Sequence, residues 1–210
     1  GAGGDGGDGA AGVFGTLGQT APGGAGGAAI HALGDIPSSP GGGGGGAGAD
    51  VNDADLSACG GGGGDGGGVL VLRARSLVNR GRIAADGVPG QRAGGRRREA
   101  TPGGGGAGTI RVHVDTISNL GLLTAFGGDG GDSELAVRCE DTAGAGAGGG
   151  GGGFVYLDVP SVGATDLSRI TVAGGAGGAG NCSAEDGAGG EDGVVCCLPA
   201  QPGCQGCAVP

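Results

Sequence analysis

TIRVHVDTISNLGLLTAFGG, residues 109–128, decides the fold, because the chain contains near-copies of it on both sides. VLVLRARSLVNRGRIAADG starts at Val69 and FVYLDVPSVGATDLSRITVAGG starts at Phe154. The first two copies align without a gap: Ser76 with Thr116, Leu77 with Ile117, Asn79 with Asn119, Gly81 with Gly121, Ile83 with Leu123, Gly87 with Gly127. The third needs a short insertion before Ile170. A polyglycine run precedes each copy.

Each copy opens with alternating residues, the period of a strand with one buried face. The inward set is Leu70, Leu72, Ala74; Ile110, Val112, Val114; Val155, Leu157, Val159, all apolar. The opposite set is mixed: Val69, Val71, Arg73; Thr109, Arg111, His113; Phe154, Tyr156, Asp158. Two further apolar patches follow in each copy: Leu77, Val78, Ile117 and Val162, then Ile83, Leu122, Leu123, Ile170 and Val172. Short strands repeated at this spacing predict an all-β chain, a short parallel β-solenoid of three rungs, because one rung alone cannot bury its inner face. Ala29 to Gly34, 40 residues before Val69 and its followers, is a degenerate candidate for a fourth rung with Ile30 inside. Asn79 above Asn119 predicts an amide ladder at a turn, in competition with two ordinary Asn-x-Gly turns.

Composition sets the next bound. The chain has 64 Gly in 210 residues, no Met or Trp, and only one Tyr and three Phe. Such glycine content without a collagen period usually means disorder, and ordering glycine costs more backbone entropy than ordering any other residue. The glycine runs are therefore expected to be held by neighbours, as extended polyglycine II-like excursions packed side by side. At roughly 3.1 Å per residue, a run going out and back reaches roughly 30 Å. Three regions result: a glycine-rich N-terminal segment (1–68), the repeats with their glycine loops (69–180) and a cysteine-rich tail (181–210). No apolar run approaches membrane-spanning length. The chain opens without Met, as a processed chain or a fragment would.

Charge is unevenly placed. Residues 69–102 hold eight Arg against Asp86 and Glu99, a balance of +6, so the total of −10 leaves −16 for the remainder. Arg73, Arg75, Arg92, Arg96, Arg97 and Arg98 form a basic patch suited to anions, either nucleic acid or a surface polysaccharide. Nucleic acid fits poorly: the chain is acidic and lacks aromatics for base stacking. A basic rung meeting an acidic glycine-rich region of another copy uses the asymmetry better; a solvated loop is the plain alternative.

Cys59, Cys139 and Cys182 are dispersed, whereas Cys196, Cys197, Cys204 and Cys207 crowd the tail. Disulfides predict an extracellular or cell-surface setting, and a tail this poor in apolar residues needs staples. Zinc is the rival use of Cys204-x-x-Cys207 with the adjacent pair, although ligand pairs usually stand two to four residues apart. Asn181-Cys-Ser183 matches a glycosylation sequon. GGDGGDSEL (127–135) and GGDGGDGAA (3–11) have the look of calcium-binding glycine nonapeptides, through Asp129 and Asp132 or Asp5 and Asp8. Glu134 and Ala10 stand where those repeats need an apolar anchor, so solvated acidic loops are the competing use.

Catalysis has little support. His31 and His113 lie in strand-like segments, and Arg73, His113 and Asp158 predict a polar ladder on the outer face. Two acids and one His (Asp115 being the second acid) do not supply the carboxylate pair, base or metal of a sugar-cleaving β-helix.

Glycine run, alternating strand (TIRVHV), then xxIxxxGxLxAxGG resembles the glycine-rich β-helical repeats of large secreted or surface proteins of high-GC bacteria, myxobacteria-like ones in particular. Arg used without any Lys suits such a genome. The resemblance covers residues 60–180, brings no catalytic residue with it, and implies an extracellular structural or adhesive role. The expected function is a subunit of an extracellular fibre or surface assembly, partnered by itself, with no membrane span and no cofactor. The alternative is a monomeric adhesin or ice-binding module, against which the outer column Arg73, His113, Asp158 stands.

Overall fold

A computed structural model describes residues 26–27, 50–51, 63–90, 101–119, 121–133, 143–160, 167–180, 184–199 and 204. These residues are all-β, with strands Asp50–Val51 (β1), Val69–Val78 (β2), Arg82–Ala84 (β3), Thr109–Asn119 (β4), Leu122–Thr124 (β5), Ala143–Gly144 (β6), Phe154–Asp158 (β7), Ile170–Thr171 (β8) and Val194–Leu198 (β9). A 3-10 turn, Leu167–Arg169, precedes β8.

Strands β2-β4-β7-β9 form one sheet, β3-β5-β8 a second, and β1-β6 a small third. The first two are parallel throughout. Val69 lies beside Thr109, Thr109 beside Phe154, and Phe154 beside Val194. The chain thus returns to one lateral position after 40, 45 and 40 residues. In the second sheet Ile83, Leu123 and Ile170 share a column. The repeat alignment read from sequence is therefore the register of both parallel sheets, except at the end of β2, where Val78 rather than Asn79 stands opposite Asn119.

Alternation explains the core. Ile110, Val112, Val114, Val155, Leu157, Val159 and Cys197 point to one side and pack with Leu123 and half-buried Ile83 and Ile170 from the second sheet. Ile110, Val112, Leu123 and Leu157 are wholly buried. Burying each such side chain is worth ~1.5–3 kcal/mol. Coverage fails at the first strand: Leu70 and Leu72 are half-buried and Ala74, expected inside, is exposed. The cause is position, since β2 is the edge of its sheet among the described strands.

The sheet ends differently from expectation at its other edge. Residues 181–210 read as a stapled tail, yet Val194–Leu198 within them is the fourth strand, paired in register with β7. Alternation sends the adjacent Cys196 and Cys197 to opposite faces: Cys197 joins the inner core and Cys196 joins Phe154 and Tyr156 outside. Cys197 is bonded to Cys204. The degenerate rung around Ile30, the patch at Val162, and Ala164 lie outside the described residues.

The glycine segments form a bundle beside the sheets. The amides of Gly64 and Gly67 donate to the carbonyls of Gly103 and Gly106; those of Gly104 and Ala107 to Gly148 and Gly151; those of Gly149 and Gly152 to Ala188 and Glu191. Donors recur every third residue, and the next position along donates sideways: Gly105 to Val88 and Gly108 to Ala85, Gly150 to Gly128 and Gly153 to Ala125. A three-residue period with no bond inside the segment means that each amide must find its partner on another segment. Residues 146–153 are the centre, bonded to segments at 104–107, 125–131, 175–178 and 185–191 and to Gly27. A Cβ on Gly150 would stand 2.0 Å from the Gly105 carbonyl oxygen, which no side chain permits.

Candidate functional site

Two surfaces bring polar groups together: the outer face of the four-stranded sheet and the rim of the glycine bundle. On the outer face, register sets Arg73, His113, Asp158 and Leu198 in one column and Val71, Arg111, Tyr156 and Cys196 in the next. His113 Nδ1 lies 3.0 Å from Asp158 Oδ2. The His113 ring is 5.6 Å from that of Tyr156, inclined at 59°. The Arg111 guanidinium stands 5.6 Å from the centre of the same ring, within cation–π range. Phe154, Tyr156 and Cys196 are buried on this face, so it is a second, smaller apolar patch with a polar margin. Burial first, and then the Asp158 carboxylate, push the Tyr156 phenol above its ordinary value, with Arg111 opposing.

Along β4 the outward atoms Thr109 Oγ1, Arg111 Nε and His113 Nε2 are buried without a hydrogen-bond partner. The Asp158 carboxylate fixes the orientation of the His113 ring through Nδ1. Chemically the cluster aligns charge and stacks rings across two strands.

On the rim, aspartates replace carbonyls as acceptors. Asp129 Oδ1 accepts the amide of Ala176 and Asp132 Oδ1 that of Ala179, each at 2.8 Å. Asp192 serves Gly174 and Asp186 serves Gly180 in the same way. The three-residue spacing of GGDGGD thus matches the three-residue period of the neighbouring AGGAGGAG (173–180), whose exposed amides need acceptors. This use of Asp129 and Asp132 escaped the sequence reading, which weighed only calcium and solvent; equal spacing of GGD and AGG triplets was the available signal. Asp5 and Asp8 lie outside the described residues.

Between the first and second repeats a further lock appears. Asp86 accepts from the Phe126 amide at 2.9 Å, from Thr124 Oγ1 at 3.1 Å and from the Arg82 guanidinium, whose Nε also reaches Thr124 Oγ1 at 3.0 Å. Asn79 accepts from its own turn amide, Gly81, at 3.0 Å and donates to the Leu122 carbonyl of the next repeat at 3.4 Å. The β2–β4 register slips beside it, setting Val78 rather than Asn79 opposite Asn119, whose side chain lies outside the described set. Arg73 and Arg75 are exposed on β2, whereas Arg92, Arg96, Arg97 and Arg98 lie outside the described residues. Cys196 is disulfide-bonded, as are Cys197 and Cys204; Cys59, Cys139, Cys182 with its sequon, and Cys207 fall outside.

Compared with protein-family models, with curated proteins and with solved structures, the chain matches none. Among the described residues no helix is long and apolar enough to cross a membrane.

Proposed function

We propose that this chain is a structural subunit of an extracellular fibre or surface assembly, built as a short parallel β-solenoid of four coils with polyglycine II excursions. The observation that carries the proposal is the open first coil. β2 is ten residues long, has one neighbour among the described strands, and leaves Val69, Val71 and Val78 exposed at 43%, 47% and 55%. A long unpaired strand edge with exposed valines is a template for another chain, and monomeric proteins usually blunt such an edge.

Side-chain chemistry supports a scaffold over a catalyst. Asp86, Asn79, Asp129 and Asp132 spend hydrogen bonds tying one repeat to another. Disulfides at Cys196, Cys197 and Cys204 suit an oxidising compartment. The family resemblance stated above points the same way.

Negative-stain microscopy and light scattering of the purified chain across a concentration series test the proposal. Filaments or growing oligomers are expected. A monodisperse monomer at every concentration would overturn it and favour the adhesin or ice-binding alternative, the latter measurable as thermal hysteresis.

A further inference from the structure

We infer that copies of this chain join head to tail, the fourth coil of one docking on the first coil of the next in the register that already relates coils within the chain. This rests on the assembly reading above and adds the partner surface, its polarity and its register.

The hydrogen-bond series of the bundle is open at both ends in complementary fashion. Donors 64 and 67 reach acceptors 103 and 106; 104 and 107 reach 148 and 151; 149 and 152 reach 188 and 191. The next donors in the series are the amides of Gly189 and Asp192, and neither has an acceptor among the described residues. The first acceptors in the series are the carbonyls of Gly63 and Gly66, and neither has a donor among the described residues. Setting Gly63 and Gly66 of one copy over Gly189 and Asp192 of another continues the series unchanged. Gly26 and Gly27 pack against the same segment, Gly26 abutting the Gly189 carbonyl, but neither takes the Gly189 or Asp192 amide. Gly27 is wedged at the side, donating to Gly149 and accepting from Glu191.

The two ends are complementary in net charge, with the arginines on the sheet and the acids on the bundle. The first coil (63–90) carries Arg73, Arg75, Arg80 and Arg82 against Asp65 and Asp86, a balance of +2. Residues 184–199 of the fourth coil carry Glu185, Asp186, Glu191 and Asp192 with no base, a balance of −4. Joining like ends would set basic on basic or acidic on acidic at a coil spacing of roughly 4.8 Å, where repulsion is strong. Shape agrees as well. β2 and β9 each have one free edge among the described strands. The disulfide to Cys204 lies on the inner face beside Cys197 rather than along the strand.

The test uses the triple variant Arg73→Glu, Arg75→Glu, Arg80→Glu in the full chain, at exposed positions. Circular dichroism and thermal melting matching the wild type establish that it folds. Alone, it should fail to assemble. Added to wild type in substoichiometric amounts it should act as a chain terminator, because its acidic end still docks on a wild-type first coil while its own first coil accepts nothing; assemblies shorten several-fold. Should the variant instead pair one to one with wild type, the ends meet head to head and the inference fails. Should it enter wild-type assemblies with no change in their length, the contacts are lateral and the inference fails while the assembly reading stands. A wild-type chain that stays monomeric removes both.

Discussion

The sheets and the glycine bundle solve the same problem, stacking one stretch of chain on the next, by opposite means. In the sheets, order comes from side chains: Ile110, Val112, Val155 and Leu157 fill a space that backbone alone would leave empty. In the bundle, order comes from the lack of side chains, so that carbonyls and amides of adjacent segments bond at 2.7–3.1 Å. Apolar burial drives the first. In the second, each net hydrogen bond is worth only ~0.5–1.5 kcal/mol, and glycine begins with an entropic handicap of ~0.5–1 kcal/mol relative to Ala. Such a bundle holds only if nearly every segment is surrounded or anchored. Anchoring comes from the sheets, since the glycine runs between residues 63 and 193 that are described enter or leave a strand of the two parallel sheets.

If the contrast is right, adding a methyl to the bundle should harm the protein at least as much as removing most of a side chain from the core. Gly150→Ala is expected to destabilise most, at or beyond the top of the ~1–3 kcal/mol usual for overpacking, because backbone confronts the new Cβ: the Gly105 carbonyl oxygen at 2.0 Å and its carbon at 2.4 Å. Gly189→Ala is the control. Within one chain its Cβ meets nothing closer than 3.5 Å, so melting of the unassembled chain, at a concentration below that of assembly, should stay within ~0.5 kcal/mol of wild type. If both alanines melt alike, close packing is not what selects glycine here.

Leu157→Ala comes next, at ~2–5 kcal/mol by chemical denaturation, for a side chain with no exposed surface. A loss below that range would mean that the inner core contributes less than the bundle.

Asp132→Ala sharpens the comparison at the rim. It strips the acceptor from the Ala179 amide, but that amide is exposed and water can replace the carboxylate, so the loss should be ~0.5–1.5 kcal/mol. Asp132→Asn keeps an acceptor oxygen and should recover most of it. Equal losses in the two variants would show that charge rather than acceptance matters.

The smallest effect belongs to pH. Because folding raises the Tyr156 pKa, the unfolded chain releases that proton first as pH rises. Stability should therefore hold below about pH 10, the ordinary tyrosine value, and decline from there up to the folded-state pKa. As the chain has one Tyr, tyrosinate absorbance follows this group alone, and Tyr156→Phe should flatten the decline over that window.

Much of the sheet region was legible because side-chain alternation and the 40-residue offset are carried by residues that differ from their neighbours. Ile83, Leu123 and Ile170 could be aligned by eye and do share a column. β9 was not legible for a physical reason: VVCCL is apolar at all five positions, so no alternation marks its two faces, and two of the five are cysteines that suit a stapled tail equally well. The bundle was legible only as composition. A run such as 148–153 has no side chain to mark its phase, so its five neighbouring segments could not be named from sequence. Where triplets survive, as in GGDGGD and AGGAGGAG, the third position shows which side faces outward, and Asp129 and Asp132 occupy that side. The outer-face cluster was half legible. The column Arg73, His113, Asp158 follows from the register, whereas Arg111 over Tyr156 depends on side-chain geometry that spacing does not carry.

Amide hydrogen exchange resolved to the central glycine run tests the central claim most directly, since it compares the two regions in one molecule. The amides of Gly149, Gly150, Gly152 and Gly153 each have a backbone acceptor on another segment and should exchange as slowly as those of Val112 and Leu157, opening only with the whole fold. Exchange of those glycine amides at the rate of an unstructured chain, beside protected sheet amides, would contradict a bundle held together by its own backbone.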